Sequence, residues 1–188
     1  MDLAAIYLRD IIDTFRRYRR LGEAALAQAS DADLVAQIDD EANSLAMIVH
    51  HIAGNLRSRF TDFLTADGEK PDRDRDREFD IVNPTRAEML AQWETGWSIL
   101  TGALQTLTPA DMTRTVHIRG EAFVVAEALN RSAAHIAYHV GQMVLLAKHF
   151  AGPRWTSLSI PKGQSQAYRV GTFKQDIIPL PTDLKPRA

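Results

Sequence analysis

The sequence predicts an all-α protein, namely a four-helix bundle with a small hairpin before the last helix and an irregular C-terminal tail. Apolar residues recur at intervals of three and four over four long stretches, and that spacing is typical of amphipathic helices. The polar segment 66–84 separates the second stretch from the third and suits the long crossover of such a bundle. Apolar residues alternate on either side of Arg119 and Gly120, which predicts the hairpin.

The first half of the chain contains two of the predicted helices. An apolar stripe predicts the first helix over residues 2–28, and the segment 30–33 is interpreted as a cap followed by a short turn. The second helix is expected to begin near Asn43 or Ser44, because both side chains are good N-caps.

The second half of the chain contains the other two predicted helices. A Thr-Glu capping box at 85–88 opens the third helix, in which Trp93 and Trp97 share a stripe with leucines and are interpreted as core residues. The fourth helix is predicted from about residue 124 to 150 and ends at a Gly-Pro pair.

The chain is predicted to form one bundle domain, residues 1–165, followed by a C-terminal extension, residues 166–188. The extension is rich in proline and contains apolar side chains, which would be costly in water unless they cover a groove. We therefore expect the tail to pack on the bundle or on a partner. The apolar residues of the irregular C-terminal segment include Trp155, ahead of the extension, and Tyr168, Phe173, Ile177 and Ile178 within it.

Composition excludes several classes of function. The net charge of -2 gives no basic field for nucleic acid or for an acidic membrane surface. No run of about 18 apolar residues lacks charge, so no membrane span is expected, and the acidic residues near the N-terminus lead us to expect no export signal. The absence of cysteine excludes disulfides and thiolate ligands, and it fits a cytoplasmic location.

Two histidines of the fourth helix are the candidate metal ligands. His135 and His139 are four residues apart, so both rings leave the same side of the helix. They are either ordinary histidines that each make their own hydrogen bonds, or two of the ligands of a metal site that requires a third protein ligand. His51 in the second helix is the better third ligand by helical angle, although its margin over His50 is small.

Other polar residues are weaker candidates. Asn55, Arg131 and Gln142 lie about one turn from the histidines, where they either contact a bound group or serve helix packing and solvation. The alternating run of acids and arginines at 72–78 is interpreted as solvated or self-paired, with an anion clamp as the alternative.

Three long segments carry a resemblance to a known family. "HHIAGNLRSRFTDFLTADGEKPDRDRDREF" (50–79), "NRSAAHIAYHVGQ" (130–142) and "WTSLSIPKGQS" (155–165) resemble a family of unknown function within the DinB/YfiT-like superfamily of four-helix-bundle proteins. The resemblance implies a three-histidine metal site formed by His51, His135 and His139. It also implies homodimers, and characterised members are metal-dependent transferases or an isomerase that use low-molecular-weight thiols, while others are described as hydrolases.

The expected function is therefore a metal-dependent enzyme that holds Zn2+ or Ni2+. Its expected reaction is thiol-dependent S-transfer or related detoxification chemistry, with a small-molecule thiol as co-substrate and an electrophile as its partner. The alternatives are a metal-dependent hydrolase, a non-catalytic metal-binding stress-response bundle that acts as a dimer, and a structural bundle with three ordinary histidines. The metal is expected to keep a non-protein ligand, because no carboxylate lies one turn from His135 or His139 on their flank.

Overall fold

The structure is a computed structural model that describes residues 2–80 and 83–164. These residues form a mostly helical protein with one small antiparallel hairpin, as the sequence predicts, and they contain five α-helices where the sequence predicted four. Short 3-10 helices occupy Asp76–Phe79, Pro109–Thr113 and Gly152–Arg154. The main elements are α1 (Leu3–Gln28), α2 (Asp31–Val35), α3 (Leu45–Phe60), α4 (Arg86–Thr106), β1 (Thr115–Ile118), β2 (Glu121–Val124) and α5 (Val125–Ala151).

Side-chain caps explain where the early helices begin. The Ser30 hydroxyl accepts from the Asp33 backbone N–H, and the Asp33 carboxylate accepts from the Ser30 N–H in return. The predicted turn is therefore a short helix, α2, since this capping box satisfies its first donors. Of the two candidate caps for α3, the structure selects Ser44, whose hydroxyl accepts from the Met47 N–H at 3.2 Å.

The hairpin is tied to the connection that follows α3. Strands β1 and β2 pair with Ile118 opposite Glu121, which leaves a two-residue turn. Both turn residues, Arg119 and Gly120, have positive φ, at 57° and 77°. The Asp67 carboxylate accepts from their backbone N–H groups at 2.9 and 2.8 Å, so the start of the connection is held against the turn.

Helix α3 lies between two neighbours. It packs against α4 on one side and contacts α5 on another, while α1 packs against α5. The approach of α4 is close, because a Cβ at Gly96 would lie 2.8 Å from the Cα of Ala53. Trp93 and Trp97 of α4 are buried, which confirms that they are core residues.

None of the helices within residues 2–80 and 83–164 combines the length and the apolar character that crossing a lipid bilayer would require. Trp155 is partly buried against the core. The rest of the predicted tail, residues 166–188, lies outside the described residues, and the prediction that it packs stays a prediction.

Candidate metal centre

Three imidazole rings from α3 and α5 meet in the interior. Each of His51, His135 and His139 offers one ring nitrogen, and these three atoms lie within 4.8 Å of one another. The Nε2 atoms of His51 and His135 are 3.1 Å apart, so they face the same point. His51 is 2% exposed and His139 6%, whereas His135 is only half-buried. The cluster is therefore open to solvent chiefly beside His135.

Helical geometry places these rings. On α5 the spacing of four residues puts His135 and His139 on one flank, beside the buried face that contains Ile136 and Met143. On α3 His51 is buried towards α5, while His50 is half-buried and lines a separate pocket between α3 and α4. The structure thus brings together the three histidines that the sequence singled out and places His50 elsewhere.

A carboxylate that the sequence analysis did not single out completes the environment of His51. The His51 Nδ1–H donates to Glu78 Oε2 at 2.8 Å. Glu78 lies in the 3-10 helix Asp76–Phe79, and it is 5% exposed. This hydrogen bond orients the imidazole and leaves Nε2 as the nitrogen with a free lone pair.

Arg73 holds Glu78 from the other side. Its Nε and one terminal nitrogen each donate to a Glu78 carboxylate oxygen at 2.8 Å, which is a bidentate pair. The Arg73 side chain is 4% exposed and that of Glu78 is 6% exposed. Burial alone raises the pKa of Glu78, but hydrogen bonds from Arg73 and His51 outweigh burial and hold its pKa at about 2. Glu78 therefore stays an anion at neutral pH.

A glycine on α3 admits this carboxylate. A Cβ at Gly54 would lie 2.4 Å from Glu78 Oε1, so any side chain there would displace the acid. Glu78 is 27 residues from His51 in the chain, and it is the last of four acids in the charged run 72–78. The signal that separates Glu78 from the other acids is its place directly before Phe79, whose ring lies 4.5 Å from that of His51.

The pKa values of the two α5 histidines are strongly lowered. Burial is the main cause for His135, followed by the neighbouring His139 and His51, and the pKa falls to about 3. Burial is also the main cause for His139, whose pKa falls to about 4. Both rings are thus neutral at physiological pH, which is the form that binds a metal.

Gln142 has a definite place at the centre. The His139 Nδ1–H donates to the Gln142 side-chain carbonyl at 2.8 Å, so Nε2 of this ring is also the free nitrogen. The residue that we singled out as a catalytic candidate therefore contacts a histidine, and its direct role is to orient the ring.

Asn55 and Arg131, the other two candidates, differ from each other. Asn55 is 8% exposed, lies one turn after His51, and makes no side-chain hydrogen bond to any described residue. Arg131 is exposed, and its guanidinium lies over the ring of Phe123 at 5.7 Å, without a hydrogen bond to the three histidines. Asn55 therefore remains a candidate for ligand contact, whereas the observed contact of Arg131 is with an aromatic ring.

The donor set fits a divalent transition metal. Ligand nitrogens about 2.0–2.1 Å from a tetrahedral zinc are about 3.3 Å apart, close to the 3.1 Å between the two nearest Nε2 atoms. Two of the rings have their second nitrogen bound to an oxygen acceptor, which is the usual support of a metal-ligating histidine. Within the described residues no carboxylate joins the group of three, so the set leaves room for a ligand from outside.

Comparison with known proteins places the chain in a family. The chain belongs to the family described as "Protein of unknown function (DUF1572)", whose model matches residues 2–164. No curated protein and no solved structure matches the chain. The match covers the helices, the hairpin and all three histidines.

Proposed function

We propose that this member of the DUF1572 family is a metal-dependent enzyme and that it catalyses thiol-dependent S-transfer or related detoxification chemistry. The observation that carries the proposal is the convergence of three imidazoles with no fourth protein donor among the described residues. Such a set is typical of catalytic sites, because structural zinc sites usually have four protein ligands.

The proposed ligands are His51, His135 and His139, and the proposed ion is Zn2+ or Ni2+, both of which suit imidazole. When bound, the ion would act as a Lewis acid that activates a thiol or a water molecule at neutral pH. Glu78 and Gln142 would hold two of the rings in the orientation that directs Nε2 inward. Because Arg73 neutralises Glu78, the protein adds little net charge to the centre.

The substrates would be supplied from solution. The chain contains no cysteine, so a thiol reactant has to be a small molecule, and the electrophile is a second one. Asn55 is the proposed contact for a bound reactant, since its side chain lies one turn after His51 and makes no hydrogen bond to another described residue.

The proposal includes the wider assignment to the DinB/YfiT-like superfamily. Four long helices with the connection between α3 and α4 support a four-helix bundle, and the sequence segments quoted above support the superfamily. A homodimer, a cytoplasmic location, and the division into residues 1–165 and 166–188 are parts of the same proposal.

The test combines metal analysis with a reactant screen. Purified protein loaded with Zn2+ or Ni2+ is incubated with a panel of small thiols and a generic electrophile, and consumption of the thiol is measured. We expect turnover that is lost in His135→Asn and reduced in Asn55→Ala. Stoichiometric metal without thiol turnover, but with ester hydrolysis, would favour the hydrolase. Absence of metal binding would refute the proposal altogether.

A further inference from the structure

A second cavity lies on the opposite side of α3 from the histidines. It has a volume of about 560 Å³ and is enclosed by α3, α4 and the segment 70–78. That volume is in the range of sites for small molecules. None of the three clustered histidines lines it, although Glu78 and Arg73 form part of its wall. The buried ion pair therefore separates this pocket from the candidate metal centre.

The carboxylates of the pocket are already paired. Asp72 accepts from Arg57 at 2.8 Å, and Asp74 pairs with Arg77 at 3.3 Å. Glu78 is committed to Arg73 and His51, as described above. The lining contains a fourth cation, Lys70, and no fourth acid. The unmatched charge in the pocket is consequently positive.

Lys70 is the source of that unmatched charge. Its ammonium donates to the backbone carbonyl of Asp67, and the described residues place no carboxylate within ion-pair distance of it. Burial lowers the pKa of Lys70, while the negative charges of Asp62, Asp67 and Asp72 act in the opposite direction without forming an ion pair with it. An ammonium has three N–H donors, so it can bind an anion while keeping its bond to the carbonyl.

Arg73 adds donor capacity at the base of the same pocket. A guanidinium has five N–H donors, and three of those of Arg73 are used in hydrogen bonds to Glu78 and Glu69. The remaining two are buried with the rest of the side chain, which is 4% exposed. Buried donors without a partner favour binding of an acceptor.

Small residues form the other wall. Ala53 and Gly54 of α3 and Ala91 and Gly96 of α4 line the pocket on the side where the two helices approach each other. These residues leave space and offer apolar surface rather than hydrogen bonds. The pocket thus combines an unmatched cation and buried guanidinium donors with an apolar wall.

We propose that this pocket binds a small organic anion whose carboxylate or phosphate group contacts Lys70 and Arg73 and whose short carbon body rests on the wall of Ala53, Gly54, Ala91 and Gly96. The site is distinct from the three histidines and does not depend on the reaction proposed for them.

The test measures binding of succinate and of inorganic phosphate by isothermal titration calorimetry on the full chain. Metal-free protein and the His139→Asn variant are used beside the wild type, so that an anion bound to a metal is not counted. Lys70→Gln removes the charge at similar length, and Lys148→Gln is the matched control on the exposed side of α5. We expect Lys70→Gln to weaken binding about tenfold or more and Lys148→Gln to leave it unchanged.

A second pair of variants tests the cavity without changing charge. Thr95 lines the pocket and is exposed, so Thr95→Trp should block the pocket without disturbing the core. Thr101→Trp, on an exposed position of the same helix outside the pocket, is the control. Binding of either anion that both Lys70→Gln and Thr95→Trp abolish supports the proposal, and the anion that binds identifies the head group. Absence of binding below about 10 mM for both anions, or equal binding by all four variants, would overturn it.

Discussion

Helix α3 meets α4 and α5 through interfaces of opposite character. Towards α4 the contact is close and built from small residues, with Gly96 against Ala53 and the two tryptophans buried beside them. Towards α5 the facing side chains are imidazoles, supported by the buried acid Glu78 and by the half-buried amide of Gln142. Close apolar packing stabilises the folded state, whereas burying polar groups costs desolvation free energy and so lowers the free energy of unfolding. A polar interface inside an otherwise apolar core is the signature expected of a functional site.

The largest expected effect comes from removing one ligand on the α5 side. His51→Asn should abolish stoichiometric binding of Zn2+ or Ni2+, with an affinity loss greater than the roughly 10- to 100-fold typical of a residue that only supports a ligand. His50→Asn is the matched control, because its ring lines the separate pocket on the α4 side. Metal content and calorimetric titration measure both. Equal losses in the two variants would contradict the assignment of His51.

The buried ion pair should be the next most sensitive element. Arg73→Met leaves the buried Glu78 carboxylate without its guanidinium and should lower the free energy of unfolding by about 3–5 kcal/mol. Arg77→Met breaks the exposed pair with Asp74 and should cost about 0.5 kcal/mol or less. Urea denaturation of the metal-free variants measures both values. Similar values would mean that the Arg73–Glu78 pair behaves like a surface ion pair.

The α4 side can be tested with two glycines of one helix. Gly96→Ala introduces a Cβ 2.8 Å from the Ala53 Cα and should cost about 1–3 kcal/mol relative to Gly102→Ala, whose Cβ would meet nothing within 4 Å. Gly102→Ala should itself stabilise by up to about 1 kcal/mol through helix propensity. Thermal unfolding of both variants provides the measurement. If Gly96→Ala were as stable as Gly102→Ala, the close approach of α3 and α4 would be wrong.

A further expected effect is a pH dependence of stability that originates on the α5 side. His135 and His139 have folded pKa values of about 3 and about 4, below the ordinary histidine pKa of 6.5 that the unfolded chain should show. Between pH 6.5 and 4 the unfolded state binds protons that the folded state does not, so stability of the metal-free protein should fall as pH falls through this window.

The melting temperature of metal-free protein between pH 7 and pH 4 checks this sign. The double variant with Asn at positions 135 and 139 should show a weaker dependence over the same interval, because the two depressed groups are gone. A wild-type melting temperature that rises on acidification would contradict the folded pKa values of both rings.

The fold and the candidate ligands could be predicted largely from short-range patterns. The capping box of Thr85 and Glu88 begins α4 as predicted, and the Arg119-Gly120 turn closes the hairpin. The angle around α3 favoured His51 over His50 only slightly, and the choice became clear when the position of α5 was known. Helix α2 was missed as a helix because its capping box stabilises only five residues.

The residues that hold the candidate metal-ligating rings in place could not be predicted in the same way. Glu78 looks like its neighbours Asp74 and Asp76 in the sequence, yet it is buried while they are exposed. Its burial depends on Gly54, which admits the carboxylate, and on Arg73, which offsets the cost of desolvation. The hydrogen bond between Gln142 and His139 was not predicted, and the predicted contact of Gln142 with a bound group stays a prediction.

The sequence by itself determined what depends on residues within about four positions of one another: the helices, their caps, the tight turn, and the shared flank of His135 and His139. Tertiary structure alone decided which side of α3 faces α5, which acid of the charged run is buried, and which nitrogen of each ring is free. The physical reason is that backbone hydrogen bonding repeats over one helical turn, whereas the pKa and orientation of a buried side chain depend on charges and hydrogen bonds from residues distant in the chain.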